Sequence, residues 1–283
     1  METQFDSTRN PDSFLQIGDM VAASFFIASI SLLIISLFVF LRASQMRSTI
    51  QTNWKELLII VGIIPFIASL NSFYRRNYWI ETMTDPVEFR FFDWFLTVPL
   101  MVIVFYYLLK PLGVRKRMLL SLVAGSILML GSGYIGEALY PESPITWGIL
   151  GTLGLCIIVG SIMSIGYPKI LKREVDPALK KGYLALSLLL PLGWSVYPFG
   201  YMSSPGNILE GFMELDSISL MYNLADVFNK GGLALGVYLI ARNYKGPIEM
   251  EEKNDRDYHL DHEIVPDTEL FRPVTQRRFR NIS

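Results

Sequence analysis

Charged side chains are scarce in this chain, and they leave long stretches without any charge. They make up 18% of the 283 residues, whereas apolar side chains make up 51%. The uncharged runs cover residues 20–41, 57–74, 94–109, 118–136, 143–168, 182–209 and 231–241. A helix that crosses a bilayer needs about 20 mostly apolar residues, and soluble domains rarely string together so many segments of this kind. The sequence therefore predicts an all-α, polytopic membrane protein with seven helices.

Cysteine and histidine are also nearly absent. The single cysteine, Cys156, lies in the middle of an apolar run, which excludes a disulfide framework. The two histidines, His259 and His262, lie close together near the C-terminus. No thiol or third ligand is near them, so we expect solvated side chains and no metal site. The N-terminal residues 1–13 are polar and lack a basic n-region, so no cleavable signal peptide is predicted.

The charges indicate how the helices are oriented in the membrane. The helices are predicted at 14–43, 55–76, 87–110, 115–139, 144–171, 179–203 and 217–243. Basic residues crowd the first, third and fifth connections, and the fourth and sixth contain none. The positive-inside rule then predicts an extracellular N-terminus and a cytoplasmic C-terminus, with Arg75 and Arg76 in the second connection as the exception. The domain organisation is an extracellular segment at 1–13, a membrane domain at 14–243 and a charged cytoplasmic tail at 244–283.

The last predicted helix carries two charges in its middle. Asp226 and Lys230 are four residues apart and therefore lie on one helical face. Ionisable residues at this depth are costly and usually functional. Two interpretations stay open. The pair is a salt bridge that holds the bundle together, or the lysine amine forms a Schiff base with the aspartate as its counter-ion.

The third helix supplies a second polar face. Arg90, Asp93 and Thr97 occur at positions i, i+3 and i+7. We expect Asp93 to accept a proton, Thr97 to hydrogen-bond to it and Arg90 to lie toward the outside. Together with Lys230 and Asp226, these residues would form a quadrupole that nearly balances its own charge, which a simple ion pair would not require.

Aromatic side chains accompany these charges. Trp194, Tyr197 and Tyr201 share one face of the sixth helix, and Trp94 follows Asp93 directly. Such spacing is more typical of ordinary packing than of a cofactor site. Beside a mid-membrane lysine, however, these rings would also form a slot for a long, flat, conjugated ligand.

Five segments together resemble the microbial rhodopsins, and within them the proteorhodopsin and xanthorhodopsin branch. They are "YWIET" (78–82), "FRFFDWFLTVPL" (89–100), "GYIGEA" (133–138), "GWSVYPFGY" (193–201) and "YNLADVFNKGG" (222–232). The resemblance covers nearly all of 14–243 and implies all-trans retinal bound covalently to Lys230. It also implies that Asp93 is the primary counter-ion and proton acceptor, Asp226 the second counter-ion and Arg90 the gate of the extracellular half. The positions that match the family's retinal pocket are Trp94, Met101, Met129, Gly133, Trp194, Tyr197, Pro198, Tyr201 and Asn229.

Three positions bear on how this chain differs within that group. Met101 stands at the colour-tuning position and favours green over blue absorption. Proton pumps of the branch usually carry a carboxylate eleven residues after the acceptor, close to three turns along the same face, and Val104 stands there. A histidine that hydrogen-bonds to the acceptor is common in the second helix, and Asn71 occupies that position.

The resemblance therefore implies a light-driven outward proton pump, not an enzyme, in which Asp93 accepts the Schiff-base proton and re-protonation is slow. The alternatives are a photosensor with a slow photocycle and a light-gated proton or cation conductance. Sodium, chloride and inward proton pumping are disfavoured. A carotenoid antenna, known in the xanthorhodopsin relatives, is left open. We expect a multi-pass protein of the bacterial plasma membrane, a homo-oligomer of five or six copies, and no nucleic-acid partner.

Overall fold

The computed structural model describes residues 17–46, 52–172 and 175–245, which form seven long helices. In chain order these are α1 Ile17–Gln45, α2 Thr52–Thr82, α3 Val87–Leu109, α4 Lys116–Leu139, α5 Pro144–Ile170, α6 Pro177–Ser203 and α7 Leu215–Asn243. Each is long and apolar enough to cross a membrane, and no strand occurs within the described residues. The predicted all-α fold with seven membrane helices is confirmed.

The outside of the bundle is apolar, as a surface that faces lipid must be. Leu192, Leu120 and Ile149 are 72%, 70% and 64% exposed. The polar and charged side chains turn inward instead. Because neighbouring helices run antiparallel, α1, α3, α5 and α7 begin at the same end of the bundle. We call this the Asp85 end, after the residue just before α3, and we call the other the Lys110 end. That the Asp85 end faces the cell exterior stays a prediction from the basic loops.

The predicted end of α2 at residue 76 is wrong by six residues, because the helix continues to Thr82. Arg75 and Arg76 are therefore helical and do not lie in a connection. Arg75 is 1% exposed and pairs with Asp85, so its charge is satisfied inside the bundle. The other predicted ends agree with the structure within about three residues. The segment 1–13, the first residues predicted for α1, and the tail from 246 with His259 and His262 lie outside the described residues.

Two local features of the helices shape the interior. A π-helical turn at Val227–Gly231 interrupts the α-helical hydrogen bonding of α7 at the position of Lys230, as is frequent at functional sites. In α6, Ser195 separates the helical stretches Pro177–Trp194 and Val196–Ser203. This break is consistent with Pro198, which has no N–H to donate to the preceding turn.

Candidate functional site

A lysine amine held between two carboxylates lies in the middle of the bundle. The Nζ atom of Lys230 is 2.5 Å from Oδ2 of Asp93 and 3.0 Å from Oδ2 of Asp226. All three residues are at most 3% exposed. The spacing of Asp226 and Lys230 in α7 predicted their contact, and α3 brings Asp93 to the same nitrogen. This group can hold a proton at the nitrogen and offers two oxygens to receive it.

The two carboxylates differ in how firmly they are held. Tyr197 donates a hydrogen bond of 2.6 Å to Oδ1 of Asp226, and Asn229 in turn donates to the Tyr197 hydroxyl at 3.2 Å. The corresponding oxygen of Asp93, Oδ1, is buried with no hydrogen-bond partner among the described residues. Asp226 is thus fixed on both oxygens, whereas Asp93 keeps one oxygen free to take a proton.

Thr97 and Asn71 both donate hydrogen bonds to main-chain oxygens of α3. The Thr97 hydroxyl donates to the backbone carbonyl of Asp93 at 2.9 Å and not to its carboxylate, because a threonine four residues on reaches the main chain of its own helix. The Asn71 amide donates to the backbone carbonyl of Phe89 at 2.9 Å. Thr97 thus bonds to the main chain of Asp93, and Asn71 makes no hydrogen bond to the Asp93 carboxylate in the described structure.

Val104 lies where the sequence places it, in the buried core. Its side chain is fully buried among apolar neighbours. Residues 94–109 of α3 contain no carboxylate, so none follows Asp93 toward the Lys110 end.

A cavity beside the lysine is lined by residues of α3, α4, α5, α6 and α7. It encloses about 810 Å³ of atom-free space, part of which is open to the outside of the bundle. All ten residues predicted for the cofactor line it: Trp94, Met101, Met129, Gly133, Trp194, Tyr197, Pro198, Tyr201, Asn229 and Lys230. The sequence reasoning missed the wall formed by α5, namely Trp147, Gly148, Gly151 and Thr152. The glycines at 148, 151 and 154 were the signal, because glycines three residues apart leave one helical face without side chains.

The far end of the cavity is shaped by glycine. A Cβ atom at Gly136 would lie 2.2 Å from the Tyr201 hydroxyl, and one at Gly148 would lie 2.9 Å from the Tyr201 ring. These two positions let Tyr201 pack against α4 and α5, where it donates to the Pro144 carbonyl at 2.9 Å. The result is a mostly apolar cavity lined by aromatic side chains, in which Lys230 supplies the single amine. This lining and chemistry fit a long conjugated aldehyde that condenses with Lys230.

A second charged group, which we call the outer cluster, lies between the lysine and the Asp85 end. Arg90 is 2.9 Å from Glu137 and 3.7 Å from Asp85. Arg75 binds both oxygens of Asp85, at 2.8 and 2.5 Å, and Ser219 donates to Asp85 at 3.4 Å. Burial alone would raise the pKa of Asp85, but the charges of Arg75 and Arg90 outweigh it and hold that pKa below its usual value. The sequence reasoning found Arg90 and missed the other members.

The outer cluster corrects the predicted quadrupole. The ion pairs of Arg90 are with Asp85 and Glu137 and not with either carboxylate beside Lys230. Its guanidinium also lies 5.2 Å from the centre of the Tyr222 ring and 5.9 Å from that of Trp94. The site therefore consists of two charge groups at different depths in the bundle. One is Lys230 with its two carboxylates, and the other is the outer cluster, which lies closer to the Asp85 end.

Comparison with known proteins then settles the family. The family model described as "Bacteriorhodopsin-like protein" matches residues 20–243, which include all the residues of both charge groups. The chain belongs to this family. Within it, the chain is a microbial type 1 rhodopsin of the proteorhodopsin branch, so the predicted family is confirmed.

The relatives support this at the level of sequence and of structure. The chain is 34% identical over 230 residues to the blue-light absorbing proteorhodopsin of Gamma-proteobacterium Hot 75m4, covering 80% of this chain and 88% of that protein. It is 31% identical, with the same coverage, to the green-light absorbing proteorhodopsin of Gamma-proteobacterium EBAC31A08. The crystal structure of the blue light-absorbing proteorhodopsin from Med12 superposes with a TM-score of 0.66 at 28% identity, covering 79% and 98% of the two chains.

Membership of this family gives the cavity its occupant. A rhodopsin carries retinal on a lysine, and Lys230 is the lysine that lines the cavity of this chain. The aromatic lining and the amine fit that chromophore. The chain is thus a retinal protein of a membrane.

Proposed function

We propose that this rhodopsin is a light-driven outward proton pump in which Asp93 accepts the proton of the Lys230 nitrogen. The observation that carries the proposal is the 2.5 Å distance between that nitrogen and Oδ2 of Asp93. A proton transfer needs donor and acceptor within hydrogen-bond reach, and this pair meets that condition without any rearrangement of the backbone.

The chain's own residues divide the work around the nitrogen. When bound, retinal supplies the light-driven isomerisation that moves the protonated nitrogen of its Lys230 linkage. Asp93 takes the proton on the side of α3, while Asp226 is kept in place by Tyr197 and stabilises the positive charge before the transfer. The members of the outer cluster continue from Asp93 toward the Asp85 end, which the basic loops predict to be extracellular. The proton would leave in that direction.

Return of a proton to the nitrogen is the slow step of the proposed cycle. It has to come from the Lys110 end, where Val104 takes the place at which pumps of this branch keep a carboxylate. With no donor at this position, the proton comes from the bulk solution. The rate of re-protonation should therefore rise as the cytoplasmic pH falls.

Light-induced pH change in cells that express the protein with retinal tests the proposal. We expect external acidification in the light that a protonophore abolishes. Lys230→Ala serves as the control, since it should give neither visible colour nor a pH change. A coloured protein that shows no pH change and a photocycle of seconds would refute the pump and favour a photosensor. Light-induced current that follows the membrane potential would favour a conductance.

A second, smaller cavity supports a carotenoid antenna, which we propose as an additional feature of the same function. It encloses about 460 Å³ and lies against α5, at the outer side of the retinal cavity. The two cavities share Gly148, Thr152 and Met202, so a ring placed in the smaller one would lie beside the end of retinal. Short separation is what energy transfer between two chromophores requires.

Reconstitution with a carotenoid tests this feature. Light absorbed by the carotenoid should drive the photocycle of the wild-type protein, measured as an action spectrum. Ile149→Trp, at a position that lines the smaller cavity but not the retinal cavity, should fill the smaller cavity and remove the carotenoid band from that spectrum. A carotenoid contribution that survives this substitution, or none in the wild type, would contradict the proposal.

A further inference from the structure

Arg90 is held away from the proton acceptor that lies one turn further along its own helix. Its ion-pair partners are Glu137 on α4 at 2.9 Å and Asp85 in the connection before α3 at 3.7 Å. Within the described part of the chain it makes no ion pair with Asp93. A guanidinium on a long, flexible side chain at this position has two sets of carboxylates within reach, and the structure shows it with the outer set.

Asp85 is itself firmly placed. Its two oxygens receive the Nε and Nη2 hydrogens of Arg75, and its side chain is only 6% exposed. Arg75 is fixed in turn by burial and by the ring of Phe25, whose centre lies 4.7 Å from the guanidinium carbon. A bidentate arginine–carboxylate pair of this kind sets geometry as well as charge. Asp85, in the connection between α2 and α3, is thus held rigidly by Arg75 of α2 and anchors Arg90 of α3.

We propose that the outer cluster is a positioning device: Asp85, fixed by Arg75, and Glu137 hold Arg90 toward the Asp85 end and so set the pH at which Asp93 becomes protonated in the dark. The inference rests on the proposed role of Asp93 as counter-ion. Asp85, Glu137 and Arg75 act here through Arg90, and none of them touches the Lys230 nitrogen.

The sign of the effect follows from charge. An arginine close to Asp93 favours the ionised carboxylate, so releasing Arg90 inward should move the protonation of Asp93 to lower pH. Removing the negative charge of Asp85 or of Glu137 releases it. Removing Arg75 does the opposite, since Asp85 then has no other strong cation and binds Arg90 more tightly. Arg75 also contributes directly to the field at Asp93.

Other charged and titratable groups lie around Asp93 and Arg90 and also affect the protonation of Asp93. The charged and titratable side chains that pack around Asp93 and Arg90 are Arg75 on α2, Glu137 on α4, Tyr197 on α6, Tyr222, Asp226 and Lys230 on α7, and Asp85. In the proposal Asp226 and Lys230 keep their places in every variant, because their mutual contact does not involve the outer cluster.

The colour of the dark protein reports the protonation of Asp93. The positive charge of the chromophore is concentrated near the nitrogen in the ground state and spreads away from it on excitation. Neutralising the neighbouring carboxylate therefore lowers the excitation energy, and the protein turns redder in acid. The midpoint of this change is measured in the dark and does not depend on pumping.

We expect Asp85→Asn and Glu137→Gln each to lower this midpoint by about one pH unit, a tenfold change in proton affinity, and Arg75→Gln to raise it. Glu137 is 18% exposed, so its variant should fold even if the Asp85 variant does not. Glu88→Gln is the matched control. It neutralises an exposed carboxylate on α3, the helix that carries Arg90 and Asp93, and should leave the midpoint unchanged.

A direct field of the removed charge would also lower the midpoint, and an Arg90→Gln background separates the two causes. If the outer carboxylates act through Arg90, their substitution in that background should shift the midpoint by less than about a third of a unit. Equal shifts in both backgrounds, or none in either, would overturn the inference. A wild-type protein without any acid colour change that depends on Asp93 would overturn the counter-ion role itself. Failure to pump with an intact titration would leave the inference standing.

Discussion

The two halves of the bundle on either side of Lys230 differ in what they offer a proton. The half toward the Asp85 end contains two buried arginines, Asp85, Glu137 and the hydroxyls of Tyr222 and Ser219. The half toward the Lys110 end contains Val104 and a few hydroxyl contacts, such as Tyr183 to the Ile162 carbonyl at 3.1 Å. The carboxylates described there, Glu56 and Asp176, lie at the beginnings of α2 and α6.

This difference separates two requirements that a pump has to meet. A proton that leaves the nitrogen needs an acceptor and a charged region that can respond to it, and the first half supplies both. A proton that returns needs a donor or water access, and the second half supplies no donor near Val104. The asymmetry therefore predicts fast departure and slow return.

Asp93→Asn should have the largest effect, because it removes the acceptor on which the first half depends. Light-driven acidification should fall to background, and the dark absorption should shift to the red. Transport is measured as the light-induced pH change and colour by absorption. Glu88→Gln provides the control, since it removes an exposed carboxylate from the same helix. Acidification that persists without the Asp93 carboxylate would mean that Asp226 or another group receives the proton.

Much of the group formed by Lys230, Asp93 and Asp226 could be predicted from the sequence, because the relevant signals lie within single helices. Asp226 and Lys230 share a helix and are four residues apart, so one rule of helix geometry predicts their contact. Asp93 is a charge in a membrane span, which marks it as functional wherever it points. The aromatic lining follows from spacing within α6.

The outer cluster could not be predicted in the same way. Arg75 lies two turns before the end of α2 and Asp85 follows that end, whereas the sequence predicted that α2 ends at residue 76, directly after the two adjacent arginines. Their contact becomes visible only when α2 continues to Thr82 and brings the guanidinium back to the carboxylate. Glu137 lies in the last turn of α4, where exposure is the usual expectation. Choices between a side-chain and a main-chain oxygen, as for Thr97, depend on distances that a spacing rule does not give.

The next effect tests the other half of the bundle. Val104→Glu should place a carboxyl group three turns from Asp93 toward the Lys110 end. An isolated carboxyl in an apolar interior keeps its proton, so it can donate to the Lys230 nitrogen. We expect re-protonation to become about tenfold faster or more, since positioned acids contribute on the order of 100-fold, and to depend less on pH. Flash photolysis measures this rate.

Val104→Gln is the matched control for that experiment. It has the size and polarity of the glutamic acid but carries no proton to give, so the rate and its pH dependence should stay close to those of the wild type. Equal acceleration by both variants would show that water entry, and not donation, limits the return of the proton.

Tyr197→Phe should have a smaller effect on transport, because it removes only the hydrogen bond that holds Asp226 in place. It removes a 2.6 Å hydrogen bond to a buried carboxylate, and bonds to charged groups contribute about 1.5–3 kcal/mol. We expect a shifted absorption maximum and faster thermal bleaching, with transport retained. Tyr201→Phe is the control in the same cavity, because its hydroxyl binds a backbone carbonyl and no carboxylate. It should affect bleaching and leave the colour nearly unchanged. A colour shift of the same size in both variants would mean that ring packing, and not the Asp226 bond, determines it.

The smallest effect concerns the pH dependence that Asp85 gives to stability. Its pKa in the native state lies below the unfolded value of about 3.9, because Arg75 and Arg90 favour the ionised form. The ionised Asp85 therefore contributes its full stabilisation when the pH is above the pKa of the unfolded state. That contribution is lost as the pH falls through the lower pKa of the native state. Asp85→Asn should therefore bleach faster than the wild type at pH 6, and the ratio of the two rates should fall toward one as the pH is lowered below about 4. The Asp85→Asn/Arg75→Gln double variant removes both buried charges together and should bleach more slowly than Asp85→Asn alone, since an unpaired buried cation costs more than a missing pair. A rate ratio that does not change with pH would mean that Asp85 stabilises the bundle through packing and not through its charge.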